Sequence, residues 1–227
     1  MVNLNKKTLV IIPAYNAGSL LSQLLEKLQE IHPLEHTLIV NDGSTDDTEK
    51  YALEFKVNII KHPHNMGKGI ALISGFQFAY KNNYDAVITI DADLQHPPEY
   101  IPQLIKCAEE GGYDMVIGSR RKMLRKIPLQ RRFSNFTTSW IVSKLAGMEI
   151  EDSQSGYRYI SRNLIEKVKL TEPGYMLETE IIVKAIREGF KIGFSPIPAV
   201  YNNAPSSIKV IKDTLRFIRL TLKLKYT

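Results

Sequence analysis

Short apolar segments alternate with longer segments of helical periodicity along the first half of this chain, and this alternation limits the fold more than any other feature. The pattern predicts strands at 8–12, 36–40, 58–61 and 86–90, and helices at 18–31, 45–55, 68–82 and 98–109. Strands that are apolar on both sides and joined by helices pair in parallel, because the helices cover both faces of the sheet. We therefore expect an α/β domain with a Rossmann-like, mostly parallel central sheet flanked by helices.

Length and composition limit the classes of protein to consider. The chain has 227 residues, of which 44% are hydrophobic and 24% charged, as in a globular protein with one large domain. Its single cysteine, Cys107, has no partner for an internal disulfide, and the N-terminal segment lacks the apolar core of a secretion signal, so we expect a cytoplasmic protein. No apolar run approaches the roughly 18 to 20 residues of a membrane-spanning helix, so any contact with lipid is expected to be peripheral.

The positive charge is concentrated in two segments. The net charge is +6, yet the segment from Arg120 to Arg132 alone has seven basic residues and no acidic one, and a second basic segment follows Asn203. Such clusters bind phosphate groups, nucleic acid or an anionic membrane surface. Nucleic acid is the weakest of these alternatives, because aromatic residues are not interleaved with the basic ones as stacking platforms.

Polar and turn-forming residues follow each of the four predicted strands. They are Pro13, Tyr15 and Asn16 after the first strand, Asn41, Asp42 and Ser44 after the second, residues 62–68 after the third, and Asp91 and Asp93 after the fourth. Ligands of parallel sheets bind at the carboxyl ends of the strands. We therefore expect these residues to meet at one edge of the sheet and to form the functional site there.

Asp91 and Asp93 point most directly to a chemical role. Two carboxylates one residue apart at a strand end can reach one Mg²⁺ or Mn²⁺ ion, which prefers oxygen ligands and substrate phosphates. The alternative is a solvated Asp-x-Asp turn without function. Nearby, the two glycines of HNMGKG (64–69) allow backbone N–H groups and Lys68 to face an anion at a helix N-terminus, although Lys68 is equally explained as a solvated lysine of the first turn.

Six motifs in this order resemble the inverting glycosyltransferases of family two, which have the GT-A fold. They are PAYN (13–16), VNDGSTDDT (40–48), HNMGKG (64–69), DADLQHPPE (91–99), GSR (118–120) and DSQSGYR (152–158). Within the family, DADLQHPPE and SGYR are similar to the dolichyl- and polyprenyl-phosphate mannose synthase group, whose members move a sugar from a nucleotide sugar to a polyprenyl phosphate. The resemblance covers about residues 8–200 and implies a metal-dependent hexosyltransferase that inverts the anomeric centre.

The resemblance also implies roles for individual residues. It implies that Asp91, Asp93 and Gln95 bind Mg²⁺ or Mn²⁺ or the phosphates that the ion holds. It implies nucleotide-sugar contacts for Pro13, Tyr15, Asp42, Asn65, Lys68 and Asp91. In this interpretation Asp42 binds the base, and Pro13 and Tyr15 form a wall on which the base ring stacks.

The acceptor phosphate of the synthase group is held by two basic residues and a serine. The matching positions here are Arg120, either Arg131 or Arg132, and Ser134. A phosphate monoester has a second pKa of about 6 and is already nucleophilic at neutral pH, so its site needs cations rather than a general base. The guanidinium fork of arginine suits phosphate oxygens.

An acceptor hydroxyl would instead require a general base, which typically contributes about 10² to 10⁴ in rate. Asp152 is the carboxylate that could act as this base; its other interpretation is that it orients Arg158 or the loop 153–156. The candidate catalytic residues are therefore Asp93, Arg120, Arg131 and Asp152. Three other polar residues receive structural interpretations, namely His96 as part of a turn, and Glu178 and Glu180 as solvated or capping residues at a helix start.

The sequence departs from the family pattern in two places that concern the donor. Ala17 stands where an acidic residue often follows PxYN, and the segment YNNAPSSIK (201–209) lacks an expected arginine. The donor is therefore left open between the GDP-mannose and UDP-glucose types.

Two other function classes remain as alternatives, a nucleotidyltransferase and a non-catalytic nucleotide-sugar-binding subunit. The first normally has a Gly-rich signature where this chain has residues 13–16, and the second would lack the carboxylates that this chain retains at 91 and 93.

The C-terminal segment predicts an amphipathic helix rather than a membrane span. We assign residues 1–205 to the catalytic domain and 206–227 to this helix. Its apolar stripe is Ile211, Leu215, Ile218 and Leu222, and its neighbouring basic stripe is Lys209, Lys212, Arg216, Arg219 and Lys223. The helix is expected either to lie on the cytoplasmic face of an anionic membrane or to pack against its own domain or a second subunit.

Overall fold

The computed structural model describes residues 7–121, 129–198 and 210–225, apart from the side chains of 129–135, 210–215 and 225. Within these ranges the strands are β1 (Thr8–Ala14), β2 (Thr37–Asn41), β3 (Asn58–Lys61), β4 (Ala86–Thr89), β5 (Met115–Ser119), β6 (Arg158–Ser161) and β7 (Ile192–Pro196). The α-helices are α1 (Gly18–Leu28), α2 (Thr48–Glu54), α3 (Lys68–Lys81), α4 (Ile101–Gly111), α5 (Leu129–Ala146), α6 (Arg162–Lys167), α7 (Leu177–Arg187) and α8 (Val210–Lys225).

The strands form one sheet in the order β3-β2-β1-β4-β6-β5-β7. The strand pairs are parallel except for the two that involve β6, which is antiparallel to β4 and to β5. The expected mostly parallel α/β sheet is therefore confirmed. The reversal of β6 matters for the site, because the amino end of β6 lies at the same edge as the carboxyl ends of the other strands.

Apolar residues cover both faces of the sheet, as the continuous apolar strands predict. On one face, Leu9 and Ile11 of β1 pack with α3, α5, α6, α7 and α8; on the other, Val10 and Ile12 pack with α1, α2 and α4. These four side chains are fully buried. The two helical layers bury the strands on both faces, so the loops at the sheet edge start from a packed core.

Several element boundaries differ from the sequence prediction for local reasons. The first strand extends to Ala14, because Pro13 and Ala14 continue the register with Val40 and Asn41. Helix α2 begins at Thr48 rather than at 45, because the Thr45 N–H donates to the side chain of Asn16 in the loop after β1. The predicted helix at 98–109 is a 3₁₀ turn, Pro98–Tyr100, followed by α4.

Helix α8 packs against α5 and α7 through an apolar face that differs from the predicted stripe. Leu220 and Leu224 are buried in the core, whereas Ile218 and Leu222 are 48% and 53% exposed. The side chains of Ile211 and Leu215, the other two residues of the predicted apolar stripe, lie outside the described residues. The predicted boundary at 205–206 lies outside them as well. No helix in the described part of the chain combines the length and the apolar composition needed to cross a bilayer.

Candidate active site

The carboxyl edge of the sheet brings together residues that are far apart in the sequence. Asp91 and Asp93 follow β4, and the register pairs Thr89 at the end of β4 with Arg158 at the start of β6. The loop 152–157 precedes β6, so the antiparallel direction of this strand places the loop beside the acidic pair. The start of α7 also reaches this edge.

The acidic pair lies on a sharp turn. Leu94, between Asp93 and Gln95, has a φ of 60°, a left-handed conformation that is uncommon for a leucine. This turn allows the Gln95 N–H to donate to Asp93 Oδ1 at 3.0 Å. Strained backbone of this kind occurs preferentially at ligand sites, and the motif letters alone do not reveal it.

Lys68, Asp91 and Glu178 form a compact ionic cluster. Lys68 Nζ lies 2.6 Å from Asp91 Oδ1 and 2.7 Å from Glu178 Oε1. A Cβ atom on Gly156 would lie 2.6 Å from Asp91 Oδ2, 2.9 Å from Lys68 Nζ and 3.0 Å from Glu178 Oε1, so the cluster packs directly on this glycine. The sequence interpretation of Glu178 as a capping residue missed this contact, which joins residues 110 positions apart.

The charges of the cluster change the protonation of its members. Burial alone would lower the pKa of Lys68 and raise that of Asp91. The charges of Asp91 and Glu178 together outweigh burial at Lys68 and raise its pKa, and the positive groups around Asp91, Lys68 first among them, lower the pKa of that carboxyl. Burial and the negative charge of Asp91 raise the pKa of the Asp93 carboxyl. A cation between the two carboxylates would relieve this repulsion.

The donor set of this corner fits a hard divalent cation. Asp91, Asp93 and Gln95 offer oxygen atoms on one turn, and Mg²⁺ is commonly bound by one or two carboxylates together with substrate phosphates. Within the described residues, no cluster of three or more His, Cys, Asp or Glu side chains is arranged as a metal site.

Asp42 anchors the loop that leads to Lys68. Its buried carboxylate accepts hydrogen bonds from the Met66 and Gly67 N–H groups at 2.9 and 2.8 Å, and lies 2.7 Å from Nδ1 of His62. Gly43, the next residue, has a φ of 73°, and a Cβ there would lie 2.4 Å from the backbone of the same loop. The structure therefore gives Asp42 a positioning role beside the predicted contact with the base, which stays a prediction.

The other predicted nucleotide contacts lie along the same edge. Pro13 belongs to the last part of β1, and Tyr15 follows it with 51% of its surface exposed. Asn65 is exposed in the loop that Asp42 anchors. An exposed aromatic ring at a sheet edge is compatible with stacking on a base.

Arg120 and Asp152 form a bidentate ion pair at the end of β5. Arg120 Nε lies 2.8 Å from Asp152 Oδ2, and an Nη atom lies 3.0 Å from Oδ1. Burial would raise the pKa of Asp152, but the guanidinium outweighs this and lowers it. The sequence interpretation allowed Asp152 to orient Arg158 or the following loop; in the structure it binds Arg120 and accepts from the Gln154 N–H. A carboxylate with a lowered pKa is a weak general base.

Arg158 is fully buried and ties three backbone segments together. Its guanidinium donates to the carbonyl oxygens of Ser153, Ser155 and Glu178 at 2.7 to 2.9 Å. These bonds fix the loop before β6 against the start of α7. Arg158 therefore holds Gly156 and Glu178 in place beneath the ionic cluster.

His96 is buried rather than a simple turn residue. Its ring centroid lies 5.4 Å from that of Tyr157, and its Nδ1 has no hydrogen-bond partner among the described residues. Burial, assisted by Arg120, lowers the pKa of His96 to about 4, so the ring is neutral at pH 7. The sequence missed this placement because the ring that packs against His96, Tyr157, lies directly before β6 and is distant in the chain.

The predicted acceptor residues are described only in part. Arg131, Arg132 and Ser134 belong to α5, but their side chains lie outside the described residues. Beside the described half of α5 is a cavity of about 530 Å³, whose lining includes Arg120, Trp140, Met148, Ile150 and Asp152. The cavity therefore has apolar side chains and the Arg120 side chain in the same lining.

Comparison with known proteins finds a matching family profile and similar proteins with named activities. The sequence profile described as Glycosyl transferase family 2 matches residues 9–171. The UDP-N-acetylglucosamine–dolichyl-phosphate N-acetylglucosaminyltransferase of Methanococcus voltae is 32% identical over 219 residues, which cover 87% of this chain and 87% of that protein. The polyprenol monophosphomannose synthase of Mycolicibacterium smegmatis is 31% identical over 204 residues, which cover 85% of this chain and 77% of that protein.

A solved structure has the same fold. Glucosyl-3-phosphoglycerate synthase from Mycobacterium tuberculosis, crystallised with Mn²⁺, UDP-glucose and phosphoglyceric acid, superposes with a TM-score of 0.76 over 99% of this chain and 80% of its own length. The sequence identity is 18%, so this likeness concerns the fold alone.

Proposed function

We propose that this chain, which belongs to glycosyl transferase family 2, moves a sugar from a nucleotide diphosphate sugar to a polyprenyl phosphate with inversion. The family assignment is shown by the match over residues 9–171. The chain is thus a glycosyltransferase with the GT-A fold that the resemblance implied. The choice of donor and acceptor is our proposal.

The observation that most supports the proposal is the pairing of two sites at one sheet edge. The acidic turn with Asp91 and Asp93 suits a diphosphate and its counter-ion, and Arg120, at the end of β5, lines a cavity whose wall combines charged residues with the apolar side chains of Phe136, Trp140, Met148 and Ile150. A polyprenyl phosphate has one anionic group and an apolar chain, so it matches both parts of this cavity. The names of the two relatives, which both contain a polyprenyl-type phosphate acceptor, agree with this choice.

A divalent cation, Mg²⁺ or Mn²⁺, is part of the proposal. Asp91, Asp93 and Gln95 would hold it, and when bound it would supply positive charge to the departing diphosphate. The related fold crystallised with Mn²⁺ supports a divalent ion but does not choose between the two metals.

The residues of the chain then orient two phosphates around the sugar. An oxygen of the acceptor phosphate attacks the anomeric carbon from the face opposite the nucleotide, the bond to the diphosphate breaks, and its electron pair leaves with the diphosphate. The acceptor phosphate is ionised near neutral pH, so no proton has to be removed. Arg120, together with Arg131 or Arg132 and Ser134, would hold this phosphate, while Asp152 keeps the Arg120 fork oriented.

The donor would bind along the carboxyl ends of β1 to β4. We assign these contacts to Pro13, Tyr15, Asp42, Asn65, Lys68 and Asp91. GDP-mannose and UDP-glucose type donors are both compatible with these residues. Transfer to a glycan hydroxyl with Asp152 as base is the second candidate, which the ion pair with Arg120 disfavours.

The proposal is tested by incubating the protein and Mn²⁺ with GDP-mannose, UDP-glucose and UDP-N-acetylglucosamine, each with polyprenyl phosphate. We expect one donor to give a polyprenyl-phosphate sugar of inverted anomeric configuration, read by mass spectrometry and NMR. The matched control acceptor is the polyprenol without its phosphate, which should give no product. Product formed with polyprenol or with a sugar hydroxyl, and none with the phosphate, would reject the proposed acceptor.

We also propose that α8 binds the cytoplasmic face of an anionic membrane, where such an acceptor resides. Ile218 and Leu222 are exposed one turn apart, and Arg216 and Arg219 on the same helix are exposed as well. Exposed apolar side chains next to basic ones favour an anionic interface. Deleting the whole segment would also remove the buried Leu220 and Leu224 from the core, so point variants are the cleaner test.

The double variant Ile218→Ser, Leu222→Ser is expected to bind anionic liposomes about tenfold more weakly, because two apolar side chains no longer enter the interface. Co-sedimentation measures this. The control is Leu53→Ser, an exposed leucine on α2 that should leave binding unchanged. Unchanged liposome binding together with a smaller mass in solution would assign the same surface to a second subunit instead.

A further inference from the structure

The position of Lys68 raises a question about how a cation could reach Asp91. Its ammonium group lies 2.6 Å from the carboxylate oxygen that the proposed function gives to a metal ion. An ammonium at this distance neutralises the carboxylate and repels a second cation that approaches the same oxygen. A divalent ion therefore has to compete with a cation that is built into the chain.

The surroundings of Lys68 hold it in this competing position. Glu178 accepts from Nζ at 2.7 Å, Gly156 closes one side of the cluster, and the ring centroid of Tyr175 lies 5.6 Å from Nζ. Lys68 is also the first residue of α3, directly after the Gly67 N–H that binds Asp42. The ammonium group thus lies between two carboxylates, and the backbone just before Lys68 is held by Asp42.

Glu178 and Asp91 differ in what surrounds them. Glu178 belongs to α7, the Arg158 guanidinium donates to its backbone carbonyl at 2.7 Å, and only 9% of its side chain is exposed, against 25% for Asp91. Asp91 lies on the turn beside Asp93 and Gln95. When an anionic diphosphate arrives, Lys68 can turn to its oxygens while one carboxylate contact, that with Glu178, is kept.

We propose that Lys68 is an internal counter-ion that occupies Asp91 until the diphosphate binds, and that this exchange makes binding of the cation depend on the nucleotide. The inference rests on the proposed function, since it assumes a divalent ion at Asp91 and Asp93. The Lys68 ammonium moves from Asp91 to the oxygens of the diphosphate. Asp91 then becomes available, and the divalent ion binds to Asp91 and to the diphosphate. Because such coupling is reciprocal, the ion strengthens nucleotide binding by the same factor.

The test measures the Mn²⁺ affinity of the intact protein by calorimetry and by Mn²⁺ electron paramagnetic resonance, without nucleotide and with GDP or UDP. Wild-type protein is expected to bind Mn²⁺ at least tenfold more tightly with the nucleotide that it accepts. Lys68→Met is expected to bind Mn²⁺ at least tenfold more tightly than wild type in the absence of nucleotide, and to lose most of the coupling. Lys61→Met removes the same charge from an exposed pair with Glu49 and should behave as wild type.

The possible outcomes separate the two proposals. If wild type binds no Mn²⁺ even with saturating nucleotide, the proposed metal site is wrong and this inference falls with it. If wild type binds Mn²⁺ with nucleotide but Lys68→Met has unchanged affinity without it, only the counter-ion role is overturned. Should Lys68→Met fold poorly because Glu178 is left unpaired, the double variant Lys68→Met, Glu178→Gln removes both charges and must show the same tightening.

Discussion

Replacing Asp93 with Asn is expected to lower the rate of sugar transfer by about 10²- to 10³-fold, a loss of about 3 to 4 kcal/mol of transition-state stabilisation. The amide retains an oxygen that can accept from the Gln95 N–H, so the turn keeps its shape. What is lost is the negative charge that would hold the divalent ion beside the departing diphosphate. The turnover number with polyprenyl phosphate and the cation dependence of the rate measure the effect.

The matched control for this variant is Asp47→Asn. Asp47 precedes α2, is exposed, and its side chain makes no capping hydrogen bond, so the same chemical change there should leave the rate within about twofold. Thermal melting of both proteins should match that of wild type. Full activity of Asp93→Asn at every Mn²⁺ concentration would show that the acidic turn has no part in the reaction.

Replacing Arg158 with Met is expected to lower the free energy of unfolding by about 3 to 5 kcal/mol, which is the largest stability effect that the structure predicts. The guanidinium is fully buried and donates to three carbonyl oxygens, so the variant would lose all three of these hydrogen bonds. A buried acceptor without a partner keeps the cost of its desolvation. Methionine fills part of the volume but donates nothing. For a chain of this size the midpoint of thermal unfolding should fall by about 6 to 20 °C.

The control is Arg187→Met at the exposed end of α7, where the change should alter stability by about 0.5 kcal/mol or less. Denaturant titration gives both free energies. Equal stability of the two variants would mean that water replaces the guanidinium and that the loop before β6 is held by other contacts. Because Arg158 also fixes Glu178, residual folded protein should show weaker donor binding as well.

The strands of the first half were predictable because each is a local apolar pattern. The third strand agrees to the residue with its prediction, the second is shifted by one position, and the first and fourth differ by one or two positions at the carboxyl end. The acidic turn was predictable for the same reason, since two carboxylates directly after an apolar strand must lie at the strand's carboxyl end. The family assignment depended on motifs that are each local as well.

The predictions for Asp152, Glu178 and His96 were incomplete because they depend on partners distant in the sequence. Asp152 pairs with Arg120, 32 residues away, and Glu178 reaches Lys68 across 110 residues. Periodicity describes which side of an element is apolar, but it does not report which other element faces that side. The same limit applies to α8, where the predicted stripe includes Ile218 and Leu222, while the core takes Leu220 and Leu224.

The sequence alone determined the α/β class, the positions of the first four strands to within two residues and the family, because these follow from residues that are neighbours along the chain. Only the tertiary structure decided that β6 runs antiparallel. This direction brings the loop before β6, which contains Gly156, against Asp91. Strand direction is set by the packing of both sheet faces and by backbone pairing with strands far away in the chain. Which side chains meet at the candidate site therefore depended on the whole fold. Its location at the carboxyl edge of the sheet followed from the local sequence.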